Sequence, residues 1–161
     1  MAEPRPRMEL PTKVEQRWQA LRRLEGRVNE VAERALREQY GLSVSEYMAL
    51  AALVYSDRDG HLRQQVLAEF IPLNNSSVSR LVARLERAGL TERYLCESDR
   101  RGVYTQITEH GRRIVQLARE TYLRVLHEVL DAARQDPELA EVAEYIQHVQ
   151  PQQRVASLAG E

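Results

Sequence analysis

A helix predicted between Pro72 and Gly89 carries polar side chains on one face and apolar side chains on the other. Its apolar stripe consists of Val78, Leu81, Val82 and Leu85. The opposite face consists of Ser76, Ser79, Arg80, Ala83, Arg84 and Arg87. Short side chains let a helix backbone approach the major groove of DNA, while arginine reaches phosphates or guanine edges. Taken alone, the face is equally compatible with a solvated helix surface.

A second candidate group lies at the tip of a β-hairpin predicted after this helix. The strands are predicted at 91–97 and 102–108, and side chains alternate from Val103 to Ile107 as in a half-buried strand. The tip contains Asp99, Arg100 and Arg101. Two arginines on a short loop suit the narrow, electronegative minor groove, where the aspartate can orient one of them. A solvated turn is the alternative for the tip alone.

Elements upstream of the polar face must position it. A long helix ending near Gly41 is predicted from an apolar stripe of Val14, Leu21, Leu24, Val28, Val31 and Ala35. Ser43 and Glu46 form a capping box that opens a second helix. A short helix then spans about 63–70, with Val66, Leu67 and Phe70 predicted to point inward.

Turn signals delimit the polar helix itself. Pro72 has no amide hydrogen and disfavours helix at Ile71, so 71–73 are predicted to form the turn. Side-chain oxygens at 74–77 can cap the helix that follows, and Gly89 ends it in a left-handed conformation. The order is therefore helix, tight turn, polar helix and hairpin.

Two more amphipathic helices are predicted after the hairpin. Thr108 is a good N-cap for a helix reaching about Arg134, and a last helix begins near Asp136. The helix that begins at Thr108 has an apolar stripe that includes Ile114, Leu117 and Val125. This stripe is wider than the surface that one neighbouring helix covers. With the N-terminal helix, these helices can close an intramolecular bundle or interlock with a second copy of the chain.

Composition limits the possible functions. The chain has 161 residues, of which 43% are hydrophobic and 29% charged, as in soluble globular proteins. The longest apolar run, 48–55, is too short to cross a bilayer, and 1–11 lack the apolar segment of a secretory signal. We therefore expect a cytoplasmic protein of one domain with helical extensions, without membrane partners.

Charge is distributed unevenly along the chain. Residues 61–113 contain nine Arg and six Asp or Glu, a net charge of +3, whereas the remainder carries −4. The positive excess coincides with the polar helix and the hairpin, as expected for a surface that meets phosphate. Chance can also produce a difference of this size.

The sequence contains few features that would indicate an enzyme or a metal-binding protein. The seven glycines form no phosphate-cradling loop, and no nucleophile, paired carboxylate or cofactor motif is evident. His61, His110, His127 and His148 show no tight ligand spacing. The single cysteine, Cys96, lies in a predicted strand, where a structural role is favoured over redox sensing. We therefore expect no enzyme activity, no metal and no cofactor.

Three motifs together resemble the MarR (multiple antibiotic resistance regulator) family of winged helix-turn-helix transcription factors. Leu85-Glu86-Arg87-Ala88-Gly89-Leu90 matches the Leu-Glu-x-x-Gly-Leu run that ends the recognition helix of that family. Asp99-Arg100-Arg101 matches its Asp-x-Arg wing, and Ile107-Thr108-Glu109-His110-Gly111 its Leu-Thr-x-x-Gly pattern with Ile for Leu. The resemblance covers roughly 12–150. It implies a mainly α fold with a small β-hairpin wing and with N- and C-terminal dimerisation helices.

The resemblance also implies how the chain functions. It predicts a homodimeric repressor that occupies a palindromic operator in double-stranded DNA and is released by a small-molecule effector. The candidate DNA-binding residues are Arg63, Asn74, Asn75, Ser76, Ser77, Ser79, Arg80, Arg84, Asp99, Arg100 and Arg101. Phosphate contacts are expected from Arg63, Arg80 and Arg84, and minor-groove contact from Arg101. Base contacts are expected from 74–77 and Arg80.

The effector and the domain limits follow from the same resemblance. Effectors of the family commonly sit between the dimerisation helices and the DNA-binding lobe and are often aromatic acids or phenols. Candidate lining residues are Trp18, Tyr40, Tyr47, Met48, Tyr55 and Tyr122, for each of which core packing is the alternative. Dimerisation helices are expected at 12–41 and 109–150, the DNA-binding domain at 42–108 and flexible tails at 1–11 and 151–161. A winged-helix module that binds protein without specific DNA binding is the alternative function.

Overall fold

Helices dominate the fold, and a small antiparallel sheet is formed by strands on either side of the helix-turn-helix. A computed structural model describes residues 10–56, 60–95 and 103–148. The elements within these ranges are α1 Lys13–Tyr40, α2 Val44–Tyr55, β1 His61–Arg63, α3 Gln64–Glu69, α4 Asn75–Arg87, β2 Thr91–Leu95, β3 Val103–Ile107, α5 Glu109–Ala133 and α6 Ala140–His148. None of the helices in the described part of the chain combines the length and apolar character of a membrane span. The predicted fold class, mainly α with a β-hairpin wing, is confirmed.

Helix ends agree with the predicted capping signals. Gly41 ends α1 with φ 70°, the left-handed conformation that glycine adopts without steric cost. Ser43 caps α2, and its hydroxyl accepts a hydrogen bond from the backbone of Glu46 while the Glu46 carboxylate accepts one from the Ser43 backbone. Thr108 caps α5 by accepting a hydrogen bond from the backbone of Gly111. These three predictions are confirmed.

The helix-turn-helix unit consists of α3, the turn at 70–73 and α4, as predicted. Leu67 and Ile71 are buried and fill the inward face of the short helix and the turn. The prediction that Val66 and Phe70 point inward is wrong, because they are 36% and 46% exposed. A helix of six residues presents one narrow face to its neighbours, and Leu67 occupies it.

The sheet has three strands in the order β1-β3-β2, all antiparallel. Sequence reasoning predicted the β2–β3 hairpin but missed β1, which pairs with β3 through Leu62 opposite Thr105 and Arg63 opposite Tyr104. Since Arg63 is also the N-cap of α3, this strand ties the helix-turn-helix to the wing sheet.

Two hydrophobic clusters hold the fold together. The larger one joins α2, the helix-turn-helix, the sheet and the adjoining parts of α1 and α5, and includes Leu36, Leu50 and Leu81. The smaller one joins the first half of α1 to the end of α5 and to α6, and includes Leu24 and Leu139. The helix-turn-helix lobe and the helical extensions therefore each have a core of their own, and Val129 of α5 packs against both.

The apolar stripe predicted on the N-terminal helix needs correction. Leu24 and Val28 are buried, but Val14, Leu21 and Val31 are 76%, 39% and 36% exposed. Among the described residues, the other helices cover one side of α1, and part of its apolar surface is left exposed. The buried positions are instead Ala20, Leu24, Val28, Ala32 and Leu36.

The C-terminal helices differ from prediction in two respects. Leu117, predicted in the apolar stripe of α5, is 51% exposed. The last helix begins at Ala140 rather than near Asp136, because 134–139 form turns in which the Asp136 carbonyl accepts hydrogen bonds from Leu139 and Ala140. Most of the predicted tails, 1–9 and 151–161, lie outside the described residues.

Candidate nucleic-acid interface

The start of α4 is organised around the side chain of Asn74. Asn74 caps the helix, and its Oδ1 accepts hydrogen bonds from the Ser77 backbone N–H and from the Ser76 hydroxyl, both at 2.9 Å. The predicted N-cap is therefore confirmed. Because the acceptor oxygen of Asn74 is engaged within the protein, any contact of this side chain with a base edge falls to its amide N–H groups.

The predicted recognition face of α4 is on the surface. Ser76, Ser79 and Arg80 are exposed, whereas Val78, Leu81 and Leu85 are buried on the opposite side. The Ser79 hydroxyl accepts a hydrogen bond from the side-chain amide of Gln64 at the start of α3. Gln64 thereby links the first helix of the helix-turn-helix to the surface of the second.

Arg84 is held by a buried carboxylate one helix away. Its Nε donates to Oε1 of Glu46 at 2.9 Å, and the side chains are 50% and 7% exposed, respectively. Burial alone would raise the pKa of Glu46, but hydrogen bonds from the Ser43 backbone and from Arg84 outweigh it and lower that pKa below its ordinary value. The pair fixes α4 against α2 and leaves half of the Arg84 side chain in solvent.

Arg63 is held in the same manner at the junction of β1 and α3. Its Nε donates to the hydroxyl of Tyr104 at 3.0 Å, and its guanidinium carbon lies 5.5 Å from the centroid of the Tyr104 ring. Arg63 itself is exposed, while Tyr104 is 5% exposed. Two arginines beside the recognition face are therefore each anchored through Nε to a buried oxygen.

Part of the predicted interface lies outside the described residues. The wing-tip residues Asp99, Arg100 and Arg101 fall in this category, as does Cys96. Asn75 is the first residue of α4, but its side chain is not among those described. The structure thus places the predicted residues of α4 on one surface and Arg63 next to Gln64, which contacts that surface through Ser79. The contribution of the wing tip stays a prediction.

The predicted effector residues separate into two groups. Tyr47 and Tyr122 pack with ring centroids 4.8 Å apart, and the Tyr40 hydroxyl donates to the Leu117 carbonyl at 3.1 Å and lies 3.0 Å from the Thr121 hydroxyl. Burial raises the pKa of Tyr47 to about 12, with smaller contributions from Tyr55 and Tyr122. Met48 also packs against this part of the core.

The other two candidates are more exposed. Tyr55 is 56% exposed at the end of α2, and Trp18 is 59% exposed on the half of α1 that packs near α6. A separate open groove of about 380 Å³ runs between α5 and α6. It is lined by Leu126, His127, Leu130, Arg134, Ile146, Gln147 and His148 and includes none of the predicted effector residues. Over residues 10–56, 60–95 and 103–148, no three His, Cys, Asp or Glu side chains gather as metal ligands would.

The order of the elements and the segment that contains them match one known family. Residues 40–102, from the end of α1 to the wing, match the model of the MarR family. Over this segment, which is less than half of the chain, the sequence is similar to the MarR family. The resemblance inferred from the motifs at 85–90 and 99–111 is therefore confirmed.

The chain is also similar to individual proteins, both in sequence and in structure. HTH-type transcriptional regulator PecS of Dickeya dadantii is 29% identical over 107 residues, which make up 65% of this chain and 64% of PecS. The match thus spans less than two thirds of the length of that curated relative. AbsC, a MarR family transcriptional regulator from Streptomyces coelicolor, is 26% identical with a TM-score of 0.66, covering 87% of this chain and 99% of AbsC.

One structural neighbour was solved with DNA. Sco3205, a MarR family transcriptional regulator from Streptomyces coelicolor in complex with DNA, has a TM-score of 0.68 at 24% identity. The superposition covers 91% of this chain and 94% of Sco3205. At this level of identity the likeness shows a shared MarR fold.

Three residues that contact the predicted interface were not predicted from the sequence. Gln64 and Tyr104 gave no local signal, because their contacts with Ser79 and Arg63 depend on the packing of distant segments. Glu46 was recognised as a capping residue but not as the partner of Arg84. The sequence offered one signal: Glu46 is a carboxylate in an otherwise apolar predicted helix. A carboxylate that is buried there needs a cationic partner.

Proposed function

We propose that this chain is a homodimeric, sequence-specific DNA-binding repressor that a small-molecule effector releases from a palindromic operator. The observation that carries the proposal is the exposed polar face of α4 in a winged helix-turn-helix of the MarR family. Arg80 lies on that face, and Arg63 and Arg84 flank it with their guanidinium groups anchored to buried oxygens.

The chemistry of the face supports a division of roles. Arg63, Arg80 and Arg84 contact phosphates, since cationic donors on an exposed helix suit the charged backbone of DNA. The side chains at 74–77, Ser79 and Arg80 approach base edges in the major groove. Arg101, with Asp99 and Arg100 beside it, contacts the adjacent minor groove.

Exposed apolar side chains support the dimer. Val14, Trp18 and Leu21 lie at spacings of four and three on the first half of α1 and are 76%, 59% and 39% exposed. Tyr145 of α6, which packs beside α1, is 66% exposed. Apolar surface of this kind is typical of subunit interfaces. The helices at 12–41 and 109–150 therefore form the dimer interface, and 42–108 form the DNA-binding domain.

The tyrosine cluster at the junction of α1, α2 and α5 supports a site for an aromatic effector. Tyr40, Tyr47 and Tyr122 combine stacking surfaces with hydroxyl groups where the dimerisation helices meet the DNA-binding lobe. Met48 adds an adaptable apolar side chain beside them. An aromatic acid or phenol bound there separates the lobe from the long helices and so changes the distance between the two recognition helices of the dimer.

DNA binding is tested by a gel shift with the intergenic region upstream of the gene for this chain. We expect Arg80→Ala and Arg101→Ala each to weaken binding, and affinity to fall steeply as salt rises. Arg22→Ala on the exposed side of α1 is the matched control and leaves binding unchanged. If neither substitution weakens binding at physiological salt, the assigned contacts are wrong. If the unaltered protein retains no DNA, a protein-binding winged helix becomes the better account.

Effector release is tested in the same gel shift with added salicylate and simple phenols. We expect at least one of these compounds to release the DNA and to quench tyrosine fluorescence at matching concentrations. Replacing Tyr47 by Ala removes one wall of the cluster and raises the concentration required. Release that is unaffected by this substitution places the effector elsewhere.

A further inference from the structure

We propose that Tyr104 is a positioning residue that holds the guanidinium of Arg63 ready for a DNA phosphate. The inference rests on the proposed function, because it assigns a role within DNA binding to a wing residue that itself is buried. Tyr104 acts through Arg63, and it connects the wing sheet to the helix-turn-helix.

The register of the sheet places the two side chains together. Arg63 and Tyr104 are directly opposite each other in the β1–β3 pair, so their side chains lie on the same face of the sheet. The hydrogen bond of 3.0 Å from Arg63 Nε to the Tyr104 hydroxyl joins them, and the ring also lies beneath the cation at 5.5 Å. His61, two residues earlier on β1, packs its ring edge-on against Tyr104 with centroids 5.6 Å apart.

The residue type at position 63 is unusual for its place in the fold. Arg63 has the extended backbone of an N-cap, with φ −63° and ψ 143°, but its side chain makes no capping hydrogen bond to α3. Ser, Thr, Asp and Asn are the residues that stabilise this position. Arg63 thus does not cap α3 with its side chain. Instead, this side chain bonds to Tyr104 on β3, 41 residues away in sequence. The presence of arginine at position 63 is therefore better explained by a need to hold a guanidinium group at this site than by a need to stabilise α3.

Anchoring through Nε has a specific consequence for phosphate binding. The guanidinium group is planar, so one hydrogen bond at Nε together with the cation–π contact to the Tyr104 ring restricts its orientation. A long side chain that is already ordered loses less conformational entropy when it meets its ligand. The Tyr104 hydroxyl therefore increases DNA affinity without touching DNA.

The test is a double-mutant cycle of Tyr104→Phe and Arg63→Ala. Binding is measured by fluorescence anisotropy over a series of KCl concentrations, with a labelled duplex obtained by selection from a random-sequence library. We expect Tyr104→Phe to weaken binding roughly threefold to tenfold, the effect of losing the pre-ordering of one side chain. In the Arg63→Ala background the same substitution has no effect. Arg63→Ala makes the salt dependence shallower by about one phosphate per protomer, whereas Tyr104→Phe leaves the slope unchanged.

One measurement and one further variant control for folding. The melting temperature of each variant, followed by circular dichroism, shows whether it folds as the unaltered protein does. Arg63→Lys keeps the charge but has no planar group for the Tyr104 hydroxyl to orient, so it lowers affinity as much as Tyr104→Phe while keeping the salt slope. This variant tests the inference even if Tyr104→Phe fails to fold.

The possible outcomes separate the inference from the proposed function. If Tyr104→Phe lowers DNA affinity equally with and without Arg63→Ala, Tyr104 has only a structural role. If Tyr104→Phe or Arg63→Lys leaves DNA affinity unchanged, Tyr104 does not orient the guanidinium group of Arg63. Either result overturns the inference while DNA binding stands. Unchanged binding by Arg63→Ala likewise overturns it. If the unaltered protein enriches no duplex from the library, the proposed function fails and the inference fails with it.

Discussion

Substitution of Glu46 tests how the recognition helix is fixed to the rest of the lobe. Glu46→Ala removes the capping-box contact with Ser43 and the hydrogen bond between Glu46 and Arg84. The Ser43 hydroxyl still caps α2, but the buried Ser43 N–H loses its acceptor, which costs about 1 kcal/mol. A hydrogen bond to a charged group contributes roughly 1.5–3 kcal/mol when buried, which we reduce to about 1 kcal/mol because Arg84 is half exposed. We therefore expect the free energy of unfolding to fall by about 2 kcal/mol.

The assay is urea unfolding followed by circular dichroism at one fixed protein concentration, since the stability of a dimer depends on concentration. Glu15→Ala is the matched control, because Glu15 forms the same capping box with Thr12 at the start of α1 but is exposed, and no arginine among the described residues pairs with it. Its loss is expected to be clearly smaller. Equal losses from the two substitutions would refute the contribution assigned to Arg84.

The pH dependence of the same pair gives an independent check. Contacts with Ser43 and Arg84 lower the pKa of Glu46 in the folded state despite its burial. A lowered pKa means that the contribution is fully present above the unfolded-state value of about 4.3 and is lost as pH falls through the folded-state value. The stability difference between the unaltered protein and Glu46→Gln should therefore be largest near neutral pH and shrink towards pH 3. A difference that does not change with pH contradicts this account.

Three other substitutions test separate elements. Thr108→Ala removes the hydroxyl that accepts from Gly111 and donates to Gly89, so it should cost about 1 kcal/mol, or roughly 2–4 °C in the melting temperature, whereas Thr108→Ser should retain most of that stability. Gly89→Ala places a side chain on a residue with φ 69° and should lower the free energy of unfolding in urea by about 1 kcal/mol. An unchanged free energy of unfolding would show that the backbone at this turn adopts another conformation without cost. Val14→Glu puts a charge on the exposed apolar stripe of α1 and should shift the mass measured by light scattering from dimer to monomer; an unchanged mass places the dimer interface elsewhere.

Features set by residues close together in sequence were predictable. The capping box of Ser43 and Glu46 and the N-cap at Thr108 depend on residues three apart, and Gly41 and Gly89 stop helices through their own backbone conformation. The polar face of α4 follows from helical periodicity alone. These signals sufficed for the helix-turn-helix and, with the family motifs, for the fold.

Features set by distant neighbours were not predictable. Strand β1 has three residues, too few for an alternating pattern, and it exists because Leu62 and Arg63 pair with Thr105 and Tyr104. Apolar side chains such as Val14 and Phe70 were assigned to the interior because their type suggests burial, but burial depends on whether another element covers that face. The anchoring of Arg63 follows from the strand pairing and was invisible for the same reason.

The central claim, that a two-fold dimer of this chain reads DNA sequence, is tested most directly by selection from a random-sequence duplex library. The selected duplexes are then titrated with the protein to determine stoichiometry. A two-fold dimer should enrich a palindrome whose half-sites lie about one helical turn apart, and two chains should bind each selected duplex. Retention of DNA without enrichment of any sequence, or enrichment of a single half-site bound by one chain, would contradict it.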